Sequence, residues 1–491
     1  LNNKNICLIC NGEIYNWKAL REILKDEITY QTNSDCEIII HLYEKYGIEH
    51  TLQLLDGVFS FALFDFENSD YPKAYIARDT YGVRPLFMMS NGSDDAIGFC
   101  SEIKMLHDLN KYNMQTFTQF KPGSFTELNY SFNHSKWNIS HSKQFSSSTT
   151  VTNPFIDSNN VLQMIQQSLI SAVRKRVDNT DREIACLLSG GLDSSLITGI
   201  VASLLPDPSK LNTWSIGMEG SEDLMYARKV AEHIGTTHHE ILLTEKDFLD
   251  AIPDVIYAIE SYDTTTVRAS VGNWLISKFI RENSNAKVVF NGDGSDELTG
   301  GYMYFHLAPN ELEFDKECRR LLKDIHYFDV LRSDRSISSH GLEARTPFLD
   351  RNFVSSYLSI PRELRYHPKN NHQEKYLLRK AFDNTNLLPK SVLWRTKEAF
   401  SDGVSKQTRS WFEIIQEYAQ QQVNEQDPKL AEKIWYKSLF DKFYPNCTNV
   451  IPYFWMPKYV NADDASARTL DVYKKNLEVD SSNDNSSSQI L

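Results

Sequence analysis

The stretch Ser189-Gly190-Gly191-Leu192-Asp193-Ser194-Ser195 decides the fold of the larger part of this chain. An apolar run, 184–188, comes before it and is typical of a buried strand. A second apolar run, 196–205, follows it and predicts a helix that ends at Pro206. Glycines let the backbone approach an oxyanion closely, and the first N–H groups of a helix are free to bind one. The stretch therefore predicts an anion site to which three serine hydroxyls add donors.

Asp193 is the unusual member of this stretch, because a carboxylate repels a phosphate. A bridging Mg²⁺ resolves the conflict, since carboxylate and phosphate oxygens are its preferred ligands. No Gly-Lys-Ser/Thr ending is present, which excludes the P-loop of ordinary ATPases. The stretch resembles the pyrophosphate loop of the N-type ATP pyrophosphatases, enzymes that cleave ATP between its α- and β-phosphates. The alternative is a ligand-free turn of small residues, and the match of the whole stretch disfavours it.

Length, composition and charge restrict the class of protein. The 491 residues suggest two or more domains, and 41% hydrophobic with 24% charged residues is ordinary for a soluble globular protein. A net charge of -13 argues against nucleic acid or an anionic membrane as partner, so local Lys and Arg must hold anionic substrates. No stretch approaches membrane-spanning length and no signal peptide is visible, so we expect a cytoplasmic enzyme.

The seven cysteines are scattered, odd in number and unlike a disulfide framework. Cys7 and Cys10 form a C-x-x-C without a second ligand pair, and we interpret them as buried structural residues of an apolar strand.

Strands and helices alternate after the pyrophosphate loop, which predicts a parallel sheet covered by helices. We expect strands over 211–218, 239–243 and 287–290, and helices over 161–177 and 224–234. A second glycine-rich acidic loop, 291–297, should lie near the first, because the carboxyl ends of parallel strands share one crevice. His238 and His239 should face opposite ways on a strand and hold no metal. Further on, 321–335 and 373–382 predict helices.

The first 140 residues predict a small mixed domain with strands over 6–10, 57–64 and 74–78. Its phrases "NGEIYN", "SDCE", "LDGVFSFALFD" and "ARDTYGVRPLF" resemble the class II glutamine amidotransferase domain, an N-terminal-nucleophile (Ntn) fold. The resemblance implies that Asn11 and Gly12 form an oxyanion hole, a role that an amide side chain and a backbone N–H can fill. It also implies that Glu13 and Asp35 bind the head group of glutamine.

That family uses a cysteine at the mature N-terminus as its nucleophile, whereas this chain starts at Leu1, one strand before "NGE". Cys7 and Cys10 are not terminal. We therefore expect an N-terminally truncated domain, and a chain that takes its nitrogen from ammonia rather than from glutamine.

The remaining motifs resemble the asparagine synthetases of the eukaryotic type: "CLLSGGLDSS", "ESYDTTTVRAS", "NGDGSDE", "GLEARTPFLD", "WRTKEAFSDG" and "WMPKYVNADDASARTL". This resemblance implies ATP-dependent amidation of aspartate through β-aspartyl-AMP, with release of pyrophosphate and AMP and with glutamine or ammonia as nitrogen source. It implies the following site residues: for ATP, Leu188, Ser189, Gly190, Gly191, Asp193, Ser194, Ser195, Ile216, Asn291 and Gly292; for aspartate, Thr265, Thr266 and Arg268; for Mg²⁺, Asp193 and Asp296; for catalysis, Asp293 and Lys397.

Two departures fall in the second loop. The family carries Ser where this chain has Asn291, and Glu where it has Asp293, so we expect the shorter carboxylate to limit adenylation.

These observations combine into an α/β fold class. We predict a truncated amidotransferase domain of α+β type over 1–140, a linker over 141–158, an α/β ATP-pyrophosphatase domain with a helical C-terminal part over 159–475, and a disordered tail over 476–491. A homodimer is left open.

Two alternative functions remain at this point. The first is another acyl-adenylating amidase of the same fold, similar to β-lactam synthetase, which "TTTVRAS" disfavours. The second is a catalytically inactive interaction protein, which the intact pyrophosphate loop disfavours.

Overall fold

The computed structural model describes residues 2–3, 5–26, 28–91, 96–107, 116–147, 152–153, 156, 158–406, 408–471 and 473. Its strands are β1 (Asn2–Asn3), β2 (Ile6–Ile14), β3 (Gly57–Asp65), β4 (Lys73–Arg78), β5 (Phe87–Ser90), β6 (Ile97–Cys100), β7 (Thr116–Gln119), β8 (Ser124–Ser131), β9 (Lys136–Gln144), β10 (Ile184–Leu187), β11 (Asn212–Gly217), β12 (Thr237–Leu242), β13 (Val288–Phe290) and β14 (Glu343–Arg345).

The α-helices are α1 (Trp17–Leu24), α2 (Glu37–Leu54), α3 (Ile103–His107), α4 (Ser158–Val177), α5 (Leu192–Leu204), α6 (Glu222–Ile234), α7 (Glu245–Ile259), α8 (Thr264–Asn283), α9 (Ser295–Thr299), α10 (Glu311–Asp324), α11 (Asp329–Ser338), α12 (Arg351–Ser359), α13 (Arg362–Arg365), α14 (Tyr376–Phe382), α15 (Lys390–Leu393), α16 (Phe400–Gly403), α17 (Trp411–Gln422) and α18 (Pro428–Phe443). No helix among the described residues has the length and apolar character needed to cross a membrane.

The chain divides into two compact units. Unit 1 comprises Leu1–Thr149 together with Ile325–Asp334 and Asp441–Pro452, and unit 2 comprises the remaining segments. The sequence predicted the first boundary approximately, but it gave no sign of the two later segments that unit 1 includes.

Unit 1 is built on an antiparallel sheet with strand order β1-β2-β3-β4-β8-β9. Alternate residues of β2 are buried, because strand side chains point to opposite faces in turn, and Ile6, Leu8 and Ile14 pack on α1 and α2. A second described sheet has the order β6-β5-β7. The prediction of a mixed α+β domain is confirmed.

Unit 2 contains a parallel sheet with strand order β12-β11-β10-β13-β14. The order places β10 at the centre, so that the loop after it lies between the loops that follow β11 and β13. The predicted α/β architecture with a parallel sheet is confirmed. The predicted helix over 224–234 begins two residues earlier, and it ends on Gly235 in the left-handed conformation, with φ of 82°.

Four predictions need correction or fall outside the described residues. The helix predicted over 321–335 is instead two helices, α10 and α11, because the chain passes from unit 2 into unit 1 at Ile325. The helix predicted from residue 373 begins at Tyr376. The predicted linker over 141–158 starts too early, since β9 pairs with β8 as far as Gln144. The tail over 476–491 lies outside the described residues.

Candidate active site

The predicted pyrophosphate loop connects β10 to α5. Gly190 adopts φ of +73°, and a Cβ there would lie 2.5 Å from the backbone nitrogen of Ala227, so glycine is required. The N–H of Leu188 donates to the carbonyl of Trp214 over 2.8 Å, which holds the start of the loop against β11. α5 begins at Leu192, directly after the second glycine. The loop therefore has the strand, turn and helix N-terminus that an anion site needs.

Two of the three predicted serine donors lie at the loop surface. The hydroxyls of Ser189 and Ser194 are 3.0 Å apart, and the backbone N–H of Ser189 donates to Ser194 Oγ over 3.2 Å. Ser195 is different, since its side chain is fully buried and its N–H donates to the carbonyl of Gly191. The hydroxyl of Ser195 has no hydrogen-bond partner in the described part of the chain, so its donation to the anion stays a prediction.

The second acidic loop follows β13 and touches the first. A Cβ at Gly292 would lie 2.7 Å from both Asp193 Cβ and the backbone nitrogen of Ser194. Asn291 is buried and donates its N–H to the carbonyl of Arg345 over 3.1 Å. The amide oxygen of Asn291 accepts from the N–H of Asp293 over 3.3 Å. The prediction that the two loops lie together is confirmed.

Lysine side chains link the carboxylates of the two loops. Lys375 Nζ lies 2.5 Å from Asp193 Oδ2 and 2.6 Å from Asp296 Oδ1. Lys397 Nζ donates to Asp296 Oδ2 over 2.8 Å, and the Ser295 hydroxyl donates to Asp193 Oδ1 over 2.7 Å. The structure thus brings together Asp193, Asp296 and Lys397, three residues predicted from sequence, and adds Lys375 between them.

The ion pairs keep Asp296 and Lys397 charged although both are largely buried. Burial alone would raise the pKa of Asp296, but the ammonium groups of Lys375 and Lys397 outweigh it and hold that pKa well below its usual range. Burial alone would lower the pKa of Lys397, but Asp296 and Asp193 raise it above its usual range. The site therefore presents an ionised Asp296 carboxylate and a protonated Lys397 across the neutral pH range.

The donor set fits the predicted Mg²⁺. Ionised carboxylate oxygens are the ligands that this cation prefers, and each oxygen carries two lone pairs. Each described oxygen of Asp193 and Asp296 has one hydrogen-bond or ion-pair partner, which leaves a lone pair that a cation can use.

A buried arginine holds the two segments that carry the lysines. Arg379 Nη1 donates to the carbonyl of Leu393, and Arg379 Nε donates over 2.8 Å to the carbonyl of Glu374. Its remaining Nη2 group pairs with the Glu374 carboxylate. Glu374 precedes Lys375, and Leu393 lies four residues before Lys397. Arg379 therefore connects the backbones of both segments.

The predicted adenosine residues lie at the ends of adjacent strands. Leu188 follows β10 and Ile216 is in β11, and both side chains are buried. Their contact with adenosine stays a prediction.

The predicted aspartate residues open α8. Asp263 caps this helix by accepting from the N–H of Thr266 over 2.9 Å and from its hydroxyl over 2.7 Å. The hydroxyl of Thr265 is buried and has no hydrogen-bond partner in the described part of the chain. Thr265 can therefore still donate to a ligand, whereas the hydroxyl proton of Thr266 is already used within the helix cap.

Arg268, the third residue predicted to bind aspartate, is already paired within the protein. Its guanidinium donates to both oxygens of Glu432 and to both oxygens of Asp464, at 2.5–2.9 Å. These bonds use four of its five N–H donors, and the side chain is buried. The prediction that Arg268 grips a substrate carboxylate with two bonds is wrong, because two protein carboxylates occupy that position.

The predicted glutamine residues cluster at the end of β2. Asp35 Oδ2 accepts from the N–H of Ile14 over 2.6 Å, which joins the start of α2 to the strand that carries Asn11, Gly12 and Glu13. A Cβ at Gly12 would lie 2.5 Å from the carbonyl oxygen of a β3 residue, so the close approach of β3 requires glycine there. The amide of Asn11 is exposed and donates to Ser101 Oγ over 3.1 Å. The binding of glutamine by these four residues stays a prediction.

Comparisons with known proteins agree with this geometry. A family profile described as "Asparagine synthase" matches residues 164–313 and 307–462, and one described as "Glutamine amidotransferase domain" matches residues 1–138. The glutamine-hydrolyzing asparagine synthetase of Cricetulus griseus is 46% identical over 95% of this chain and 86% of its own length. The proteins of the same name from Gallus gallus and Homo sapiens are 45% and 44% identical over 96% and 95% of this chain, and over 87% and 86% of their own lengths.

The chain belongs to the asparagine synthetase family. Among solved structures, a glutamine-dependent NAD+ synthetase from Acinetobacter baumannii in complex with adenosine diphosphate covers 73% of this chain and 56% of its own, at 13% identity and a TM-score of 0.27. That score is too low to support an argument. Family membership disfavours both alternative functions that the motifs had left open.

Sequence reasoning missed Lys375 in this candidate site. The residue lies in the left-handed region, with φ of 60°, just before α14, after a polar run that carries no recognisable site pattern. A lysine beside a glutamate in such a run is normally a solvated surface pair. The missing signal is spatial, since its two partners are in loops far away in the sequence.

Proposed function

We propose that the two acidic loops of unit 2 form the site where this asparagine synthetase converts aspartate to β-aspartyl-AMP. In that reaction a side-chain oxygen of aspartate bonds to the α-phosphorus of ATP and the bond to pyrophosphate breaks. Ammonia then displaces AMP and gives asparagine. The observation that carries the proposal is the convergence of Asp193, Asp296, Lys375 and Lys397 beside a helix N-terminus.

The proposed role of each residue follows from its charge and its position. The N–H groups at the start of α5, with the hydroxyls of Ser189 and Ser194, hold the pyrophosphate, because they are fixed donors at the positive end of a helix. Lys397 stabilises charge on the phosphate that is transferred, and Asp293 acts at the reacting centre. Thr265 donates its buried hydroxyl to the aspartate.

Asp193 and Asp296 are the proposed ligands of Mg²⁺. When bound, Mg²⁺ would neutralise negative charge on the leaving pyrophosphate. Their convergence on one ammonium group supports the assignment, since a position that holds one cation between two carboxylates is electrostatically suited to another.

Unit 1 is the proposed glutamine site. Asn11, Gly12 and Glu13 lie near the carboxyl end of β2, and the N–H of Ile14 holds Asp35 beside this strand. This proximity supports their proposed roles, since an amide side chain and a backbone N–H can stabilise an oxyanion. The cytoplasmic location and a homodimer stay predictions.

The decisive experiment follows AMP and pyrophosphate release by the purified chain with aspartate, ATP, Mg²⁺ and ammonium. Asp193→Asn should lower AMP formation by at least about 10²-fold while far-ultraviolet circular dichroism stays unchanged, because removal of one charge from a preorganised site costs that much.

Asp207→Asn is the matched control, since Asp207 caps a short exposed helix in the same unit. Near-normal AMP formation in Asp193→Asn would refute the metal role. Loss of activity in both variants would point to a general defect of folding.

A further inference from the structure

Two cysteines of unit 1 share one hydrophobic cluster beside the proposed glutamine site. Cys10 lies in β2 and packs against this cluster, and Cys36 lies directly before α2 and belongs to it. Cys36 Sγ also donates to the carbonyl of Gly12 over 3.7 Å. Cys36 is buried, whereas Cys10 is partly exposed.

This placement follows from the register of β2. Residues 6, 8, 10, 12 and 14 share the face that packs on α1 and α2, because strand residues alternate between faces. Cys10 packs against the core cluster that contains Cys36. Cys7 has the opposite parity and points to the other face. A strand and a helix N-terminus therefore hold the Cys10–Cys36 pair, and the pair does not depend on a loose loop.

Each thiol adjoins residues assigned to glutamine. Cys10 directly precedes Asn11, and Cys36 directly follows Asp35. The hydrogen bond to Cys10, burial and the nearby carboxylates of Asp35 and Glu13 all raise the pKa of the Cys36 thiol above its usual range. Cys36 thus stays protonated at neutral pH, and the more exposed Cys10 is the thiol that an oxidant reaches first.

We propose that Cys10 and Cys36 form a reversible disulfide that weakens glutamine binding. The proposal rests on the proposed role of residues 11–13 and Asp35. Its oxidant is a hydroperoxide, and a dithiol reverses it.

The chemistry balances in two steps. The Cys10 thiolate attacks one peroxide oxygen, so that an S–O bond forms, the O–O bond breaks and, for hydrogen peroxide, hydroxide leaves; the product is a sulfenic acid. The Cys36 sulfur then attacks the sulfenic sulfur, so that the S–S bond forms, the S–O bond breaks and water leaves with the Cys36 proton. The two thiols lose two electrons, and the peroxide gains them.

The bond would move the residues on either side of it. A disulfide sets its sulfurs about 2 Å apart, closer than a hydrogen bond between thiols. Cys36 would also lose the S–H that it donates to Gly12. Displacements of about 1 Å at a binding and reacting centre cost about 10²-fold, so the cross-link should weaken glutamine binding measurably. The ammonia-dependent reaction should not change, because its proposed residues all belong to unit 2.

The test compares reduced and hydrogen peroxide-treated forms of the full chain. Non-reducing peptide mapping by mass spectrometry should find a peptide that links Cys10 to Cys36 in the wild type and in the matched control Cys7→Ser. The peptide should be absent from Cys10→Ser and Cys36→Ser, and dithiothreitol should remove it. Calorimetric titration should show glutamine affinity falling at least about tenfold on oxidation in the first two proteins, and not in Cys10→Ser.

Absence of the cross-linked peptide, or a cross-link through Cys7 instead, would overturn the proposal. A Cys10–Cys36 bond without loss of glutamine affinity would overturn its regulatory part. If the reduced wild type did not bind glutamine at all, the proposed glutamine site would be refuted and the regulatory part with it, while the peptide map would still decide whether the disulfide forms.

Discussion

The side chain of Lys375 bridges the two acidic loops of unit 2. Its ammonium group is buried and lies between Asp193 and Asp296. Without it, Asp296 would keep its ion pair with Lys397, and Asp193 would lose its pairing with Lys375. Removal of one member of a buried ion pair is strongly destabilising, because the charge that remains has lost both its water and its partner.

Lys375→Met should therefore lower ammonia-dependent AMP formation by at least about 10²-fold, through the loss of a preorganised charge at the reacting centre. Steady-state assays of pyrophosphate release measure this. Lys380→Met is the control, since Lys380 is exposed on α14, the helix that follows Lys375, and pairs with Asp383 over 3.3 Å. If the activity of Lys375→Met stayed within twofold of that of the wild type, the proposed role of Lys375 in the reaction would be wrong.

Asp293 carries a prediction from its side-chain length. The family that the chain resembles has glutamate at this position, and a carboxylate one methylene shorter reaches its partner less well. Asp293→Glu should therefore raise the rate of β-aspartyl-AMP formation, measured as the single-turnover release of pyrophosphate. An unchanged rate would show that Asp293 is not limiting, with Asp293→Asn as the control for loss of the charge.

At the residue scale, sequence reasoning succeeded where chemistry is local. Asp193 and Asp296 lie in glycine-rich loops whose pattern is typical of a ligand site, and the structure brings them together. Sequence reasoning failed for Arg268, because Glu432 and Asp464, which bind its guanidinium, are 164 and 196 residues away. No local pattern shows that an arginine is already paired.

The C-terminal segment 464–468 illustrates how elements support the site. Arg268 binds Asp464, the Ser466 hydroxyl donates to Asp402 over 2.9 Å, and Arg468 donates to the Glu398 carboxylate over 2.7 Å. Glu398 follows Lys397 in the chain. The segment therefore anchors both α8 and the loop that carries Lys397.

This anchoring makes stability depend on pH. Burial and the nearby Glu398 raise the pKa of Asp402 to about 7. An unfolded aspartate has a pKa of about 4, so between these values the folded chain holds a proton that the unfolded chain has lost. Stability must fall as pH rises through this window and level off above it.

Asp402→Asn should remove that dependence, a difference on the order of 4 kcal/mol at most between the two ends of the window. Melting temperatures of wild type and variant, measured by calorimetry at several values from about pH 5 to 8, should diverge as the pH rises, with the variant the more stable at the upper end. Some slope should remain, because burial also raises the pKa of Asp223 to about 6. Parallel curves would contradict the assignment.

Element prediction followed the same division between local and distant causes. The strand, loop and helix around Ser189 were predicted because apolar runs and glycines mark them directly. The prediction of one helix over 321–335 was wrong, because the passage of the chain from one unit to the other interrupts a continuous helical pattern. That passage depends on the tertiary structure and leaves no local mark.

At the scale of the whole molecule, the proposed nitrogen-donor residues and the proposed adenylation residues belong to different units. Asp35→Asn should therefore weaken glutamine binding by about tenfold or more, since it removes the carboxylate of a proposed binding residue. Ammonia-dependent AMP formation should not change.

Calorimetric titration of glutamine and the AMP assay, run on the same preparation, measure both effects. Asp70→Asn, in an exposed turn of unit 1, is the control. A parallel loss of both activities in Asp35→Asn would show that the separation into two functional sites is wrong.

The ion cluster of unit 2 has a consequence for the kinetics of nucleotide capture. Its two aspartates and two lysines sum to zero formal charge, in a chain whose net charge is -13. Such a molecule exerts no long-range attraction on a polyanion, so ATP is not steered to the site by the overall field. The association rate of ATP should stay constant or increase as ionic strength rises, because salt screens only the repulsion between ATP and the negative net charge of the chain. The site must then select ATP through hydrogen-bond donors that act within a few ångströms.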